Sequence, residues 1–173
     1  NVIYAGVEQG GLIKSDDRGQ NWSIENEELH PDVHGLGLNP YYPERILVAT
    51  GGGLYITGDR GENWRRIFED YTRHAIFCLD NPEIAFSGPA KGIGKEGRIE
   101  MSEDGGESWD RAIDGLDTPM EDMIEHFVQY KEFPKMIYSI TSGGNVLQSK
   151  VHTVRWEKGF EVGESVNSLV LAR

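Results

Sequence analysis

The chain has a single cysteine, Cys78, among its 173 residues. That excludes an intramolecular disulfide framework and leaves the redox compartment unread. Cys78 sits in the apolar run from His74 to Leu79, where a small buried hydrophobe is expected rather than a reactive thiol. Basic residues are scarce as well: 17 Lys and Arg stand against 29 Asp and Glu, a formal net charge of −12. Such a field repels phosphate backbones, and Arg65, Arg66, Lys91 and Lys95 stand isolated among acids, so no nucleic-acid partner is expected. No run approaches the roughly 18 apolar residues of a membrane helix, so no membrane span is expected and the chain reads as soluble. A secretory leader pattern is missing too, and Asn1 is not an initiator Met, which reads as a processed or cut end and leaves the compartment open. Lys91-Gly92-Ile93-Gly94-Lys95 lacks the spacing and the following helix of a phosphate loop.

What the chain has in quantity is glycine, 22 residues of it, and repetition. Ser15-Asp16-Asp17-Arg18-Gly19-Gln20-Asn21-Trp22 returns as Thr57 to Trp64 and as Ser102 to Trp109, and an eroded copy keeps Ser149 and Trp156. The four tryptophans are 42, 45 and 47 residues apart, so one supersecondary unit is used several times.

Each position of the octapeptide has a physical task. The hydroxyl of Ser15, Thr57 or Ser102 can bond locally. The carboxylate of Asp17, Asp59 or Asp104 can accept from backbone N–H groups further on and fix a turn. Gly19, Gly61 and Gly106 supply a positive φ that a residue with a Cβ adopts only at a cost. Trp22, Trp64 and Trp109 open the returning strand and bring a large apolar surface to bury against a neighbouring unit.

The pattern Ser/Thr-x-Asp-x-Gly-x-x-Trp resembles the Asp-box, or BNR repeat, of sialidase-like β-propellers, and three copies match at all four defining positions. The resemblance implies an all-β propeller of four-stranded antiparallel blades, with the box at the blade periphery and away from the ligand. It is closer in pattern to the non-catalytic members that act in assembly and sorting. The catalytic members would need an arginine cluster, a Tyr/Glu nucleophile pair and a separate acid. Their Arg-Ile-Pro-type motif ahead of the first box is absent, because Gly11-Leu12-Ile13-Lys14 stands there.

Short apolar runs broken by Gly and Asn-Pro turns give about four blades in one domain spanning 1–173. The units fall at about 1–28 joined by 165–173, then 29–70, 71–115 and 116–164. The N-terminus lacks a first strand and the C-terminus supplies one, Val166 to Leu171, which is expected to pair with Ile3 to Gly6 and so bury an edge. Four blades suit a small ring, half of a two-chain ring completed by a homodimer, or a segment of a six- to eight-bladed one.

Aligning the first strands sets His34, His74 and His126 in one repeat-equivalent place, with Asn167 in the fourth. Converging imidazoles could hold a divalent metal at the channel mouth or, if protonated, an anion. Each could equally cap a strand by a backbone hydrogen bond. The leading expectation is a non-catalytic binding scaffold for a protein or glycan, needing no cofactor, with the acidic loop from Asp110 to Glu125 and the insert from Ala90 to Gly97 as contact candidates. A sialidase-like glycoside hydrolase and metal or small-ligand binding at the mouth are the alternatives.

Overall fold

Alternating apolar residues and glycine-punctuated turns produce sixteen strands and no helix in the computed structural model, within its described residues 2–25, 27–163, 166 and 169. The strands form four antiparallel sheets in chain order. The first has three strands among the described residues, β1 (Ile3–Val7), β2 (Gly11–Ser15) and β3 (Ser23–Ile24). The second runs β4 (Val33–Leu38), β5 (Ile46–Thr50), β6 (Gly53–Thr57) and β7 (Arg65–Phe68). The third contains β8 (Tyr71–Phe77), β9 (Ala85–Gly92), β10 (Lys95–Gly97), β11 (Glu100–Ser102) and β12 (Asp110–Arg111). The fourth is β13 (Ile124–Val128), β14 (Met136–Thr141), β15 (Asn145–Lys150) and β16 (Thr153–Glu161).

The insert after Ala90 lengthens a hairpin, and it does so by extending β9 to Gly92 and returning as β10. β10 and β11 keep one continuous register against β9, Gly97 opposite Ala90 and Glu100 opposite Ser87. They are therefore one third strand broken at Arg98 and Ile99. Arg98 turns aside there to pair with Asp70 at 2.7 Å and with the buried Glu100 at 2.5 Å.

The octapeptide turns close as small hydrogen-bonded knots. Ser15 Oγ donates to Asp17 Oδ1 at 2.9 Å and accepts from the Gly19 N–H at 2.8 Å. Asp17 in turn accepts from the Gln20 and Asn21 N–H groups. Thr57 with Asp59, and Ser102 with Asp104, repeat this arrangement. The turn needs two consecutive left-handed residues, not the one expected: Gly19, Gly61 and Gly106 have φ of 87°, 86° and 96°, and Arg18, Arg60 and Gly105 before them 66°, 64° and 75°. The carboxylates sit at about 2, below the ordinary 3.8. For Asp17 the main cause is Asn21, for Asp59 the Thr57 hydroxyl, and for Asp104 the Ser108 side chain.

The sheets face one another across three apolar layers. Leu12 and Leu29 meet Val33, Ile46 and Val48 between the first and second sheets, with Trp64 against them. Leu47, Ala49, Leu54 and Ile56 meet Ala75, Phe77 and Ala85 between the second and third, with Trp109 alongside. Phe86 and Ile99 meet Ile124, Phe127 and Ile137 between the third and fourth, sealed by Trp156. Each of these tryptophans covers the face turned to the preceding sheet. Trp22, on the first sheet, has no such cover and is 45% exposed. Inner edges pack in succession, β1 on β4, β4 on β8 and β8 on β13, and the fourth sheet shares no comparable packing with the first among the described residues. The expected closing strand at 166–171 lies outside the described residues except for Val166 and Leu169.

Two outcomes follow from this packing and turn chemistry. Trp156→Ala should cost about 3–5 kcal/mol in denaturant unfolding, because a fully buried ring in contact with Phe86 and Phe127 is removed, whereas Trp22→Ala should cost under about 1 kcal/mol. The three box carboxylates are bound as anions, so the folded state resists their protonation and the unfolded chain does not. Stability from them is complete above the unfolded value of 3.8 and is lost as pH falls from there towards about 2. Replacing Asp59 by Asn should flatten part of that acid limb of the melting-temperature profile.

Candidate functional site

The inner strands β4, β8 and β13 share an irregularity that no single-residue motif announces. Each carries a β-bulge near its start, between Val33 and Gly35, between Thr72 and Ala75, and between Ile124 and His126. One extra residue bends the strand and re-aims side chains, a device concentrated at functional rims. The aligned histidines sit in or beside these bulges.

The structure brings two of the three imidazoles together and places the third apart. His74 and His126 stack with ring centroids 4.1 Å apart, and His74 Nδ1 accepts from the Phe127 N–H at 3.3 Å. His126 is exposed, with Nδ1 3.3 Å from the Glu125 carbonyl. His34 instead turns Nδ1 to the Thr72 carbonyl at 3.1 Å and Nε2 to Asp32 Oδ1 at 3.1 Å, under the Tyr71 ring. Among the described residues the three imidazoles do not form a set within reach of one ion. The group that does is Glu8, Asp32 and His34, with one ligand atom from each lying within 4.8 Å of the others. Asn167 lies outside the described residues. His34 and His74 thus each bond the backbone of the next sheet's inner strand, so the repeated histidine acts as a latch between neighbours.

Around these histidines sit charges that the sequence reading passed over. Arg73 Nε lies 3.5 Å from Glu125 Oε2 and 3.1 Å from the Tyr71 hydroxyl, joining the bulges of β8 and β13. Their signal was in the chain: Asp32, Arg73 and Glu125 each stand one or two residues before an aligned histidine. Below the bulges an open groove is lined by Leu36, Leu38, His74, Ile76, His126 and Val128. Burial, and then the neighbouring His126, push the His74 imidazole from 6.5 down to about 3, so it stays neutral and serves as an acceptor.

Arg18 and Arg60 are spent in left-handed turn positions, and Arg45 pairs with Glu83 at 3.0 Å. Cys78 is buried directly after β8, and burial raises its thiol well above the usual range, as suits an inert core residue.

No family model matches the chain. Its arrangement of sheets is similar to the β-propeller domain of Cps50 (Swd1) from Myceliophteria thermophila, at a TM-score of 0.71 with 12% identity, over 98% of this chain and 55% of that one. The fold is a β-propeller fold. An ancestral GH74 enzyme aligns at 0.77 with 18% identity, over 90% of this chain and 22% of that one. Ycf48 bound to D1 peptide aligns at 0.61 with 17% identity, over 90% and 49%. In sequence, a probable oligoxyloglucan-reducing end-specific xyloglucanase of Neosartorya fischeri is 36% identical over 76 residues, 39% of this chain. The photosystem II assembly protein Ycf48 of Thermosynechococcus vestitus is 25% identical over 114 residues, 64% of this chain. The chain spans 9% and 32% of the lengths of those two relatives. No helix among the described residues is long and apolar enough to cross a membrane.

The half-buried His74 makes stability pH-dependent. The unfolded chain takes up its proton near 6.5 and the folded propeller only near 3, so the unfolded state binds more protons between those values. Stability is complete above about 6.5 and falls as pH drops below it, by up to about 1.4 kcal/mol per pH unit from this one group. Guanidinium unfolding at pH 7 and pH 5 should show that difference shrinking in His74→Gln.

Proposed function

We propose that the chain is a binding module within an Asp-box (BNR-repeat) propeller, near in pattern to the non-catalytic members of the sialidase-like superfamily. Its groove along the inner strands takes an extended segment of a protein partner. The observation that carries this reading is the groove itself, with aliphatic Leu36, Leu38, Ile76 and Val128 beside the stacked pair His74 and His126. Apolar walls supply burial and the imidazole edges supply orienting polar contacts, the usual make-up of a recognition groove. Leu38, one of the lining residues, is 50% exposed and so open to a partner. Ycf48, whose fold this chain shares, has been solved with a bound peptide, which supports the same use here. In this reading residues 1–173 belong to one propeller domain, and the arc of four blades is completed to a ring by further blades of the same or a second chain.

The 36% identity to a xyloglucanase over 76 residues favours a second reading, a glycan-binding or glycan-cleaving propeller. The two separate cleanly. A displayed library of extended peptides should yield binders whose affinity, read by calorimetry, drops about tenfold or more in Leu38→Asp, while Asp59→Ala leaves the affinity of the folded fraction unchanged. Release of sugars from xyloglucan oligosaccharides, with no peptide selected, would replace the protein-partner reading by the glycan one.

A further inference from the structure

His34 faces Asp32 in a way that a neutral imidazole cannot satisfy. The Thr72 carbonyl can only accept, so the His34 nitrogen 3.1 Å from it, Nδ1, carries the hydrogen. The other nitrogen, Nε2, then presents a lone pair to Asp32 Oδ1 at 3.1 Å. Two acceptors confront one another there, on a His34 side chain that is only 6% exposed. Asp32 Oδ1 is itself buried with no hydrogen-bond partner among the described residues. A carboxyl oxygen of Glu8 completes the group, all three atoms lying within 4.8 Å of one another.

We propose that Glu8, Asp32 and His34 form a binding site for one divalent transition cation of the zinc type. Ligands about 2.1 Å from a tetrahedrally held ion are about 3.4 Å apart, so the 3.1 Å between Nε2 and Oδ1 is within a few tenths of an ångström of one edge of such a site. One imidazole and two carboxylates are a donor set that zinc and its first-row neighbours accept, and three protein ligands leave a position open. The Thr72 carbonyl fixes the tautomer and aims Nε2, as outer partners of metal-bound histidines do.

Placement in the fold strengthens the assignment. Glu8 lies in the turn after β1, Asp32 and His34 lie at the head of β4, and Thr72 lies on β8, so residues of three successive sheets converge. Arg73 is held by Glu125 and the Tyr71 hydroxyl and also feels the charge of Glu8, which a bound cation would share. An ion here would tie the first sheet to the second. The site is separate from the groove of His74 and His126 and does not depend on what that groove binds.

Zinc titration of chelator-treated protein by calorimetry tests it. One equivalent per chain should bind saturably, and zinc should raise the melting temperature. Asp32→Asn and Glu8→Gln should each weaken binding about tenfold or more and remove the thermal shift. Glu8 is an exposed turn residue, so Glu8→Gln keeps the fold and reads the site alone. His126→Ala and His152→Ala should leave binding unchanged, the second because His152 forms its own pair with Asp80 at 2.9 Å. Absence of saturable uptake, uptake that survives both carboxylate changes, or uptake lost with His126 or His152 would overturn the site.

Discussion

No sheet in this protein can bury both of its faces alone, and the rest of the structure follows from that constraint. β5 and β6 are buried at every position, which a half-exposed strand never is. Alternation sends Ile46 and Val48 to the layer shared with the first sheet, and Leu47 and Ala49 to the layer shared with the third. A sheet of this kind is stable only between two neighbours, so the chain repeats the unit and stacks it. The tryptophans finish each layer from the outside. Trp22, with no preceding sheet against it among the described residues, is 45% exposed.

The octapeptide turns and the inner-strand bulges do different work for the same repeat. The turns fix the hairpin that delivers each tryptophan, using short hydrogen bonds between residues no more than four apart. They are identical knots because each is solved locally. The bulges lie at the opposite end of the blade's logic. There the inner strands of successive sheets meet, and the histidine of one sheet bonds the backbone of the next. Repetition at that rim yields three environments from one starting pattern: a cation-ready group at His34, a half-buried neutral acceptor at His74 and an exposed stacking partner at His126. Divergence concentrates where neighbouring sheets contribute unlike residues, and the rim is the natural place for binding.

The chain's acidity has a similar division. Most acids form a solvated surface, yet several are held by specific partners, as Glu83 by Arg45 and Asp70 with Glu100 by Arg98. Arg98 stands in the gap that breaks the third strand of its sheet, so an insertion in the hairpin is stabilised by a pair of ion contacts.

By itself the sequence determined the all-β class, the repeated antiparallel meanders and the hydrogen-bonding residues of the turns. All of these rest on period-two patterning and on residues a few positions apart, which a linear string displays directly. It also marked His34, His74 and His126 as equivalent, which is true of their place in the repeat. Only the tertiary structure decided that they part company. His34 is captured by Asp32 and by a carbonyl from another sheet, while His74 stacks against His126. The second left-handed residue of each turn, the common bulges, and the roles of Glu8, Tyr71, Arg73 and Glu125 were likewise settled in three dimensions. Such features depend on which strands lie side by side and on how one extra residue rotates a side chain. Spacing along a single chain carries neither.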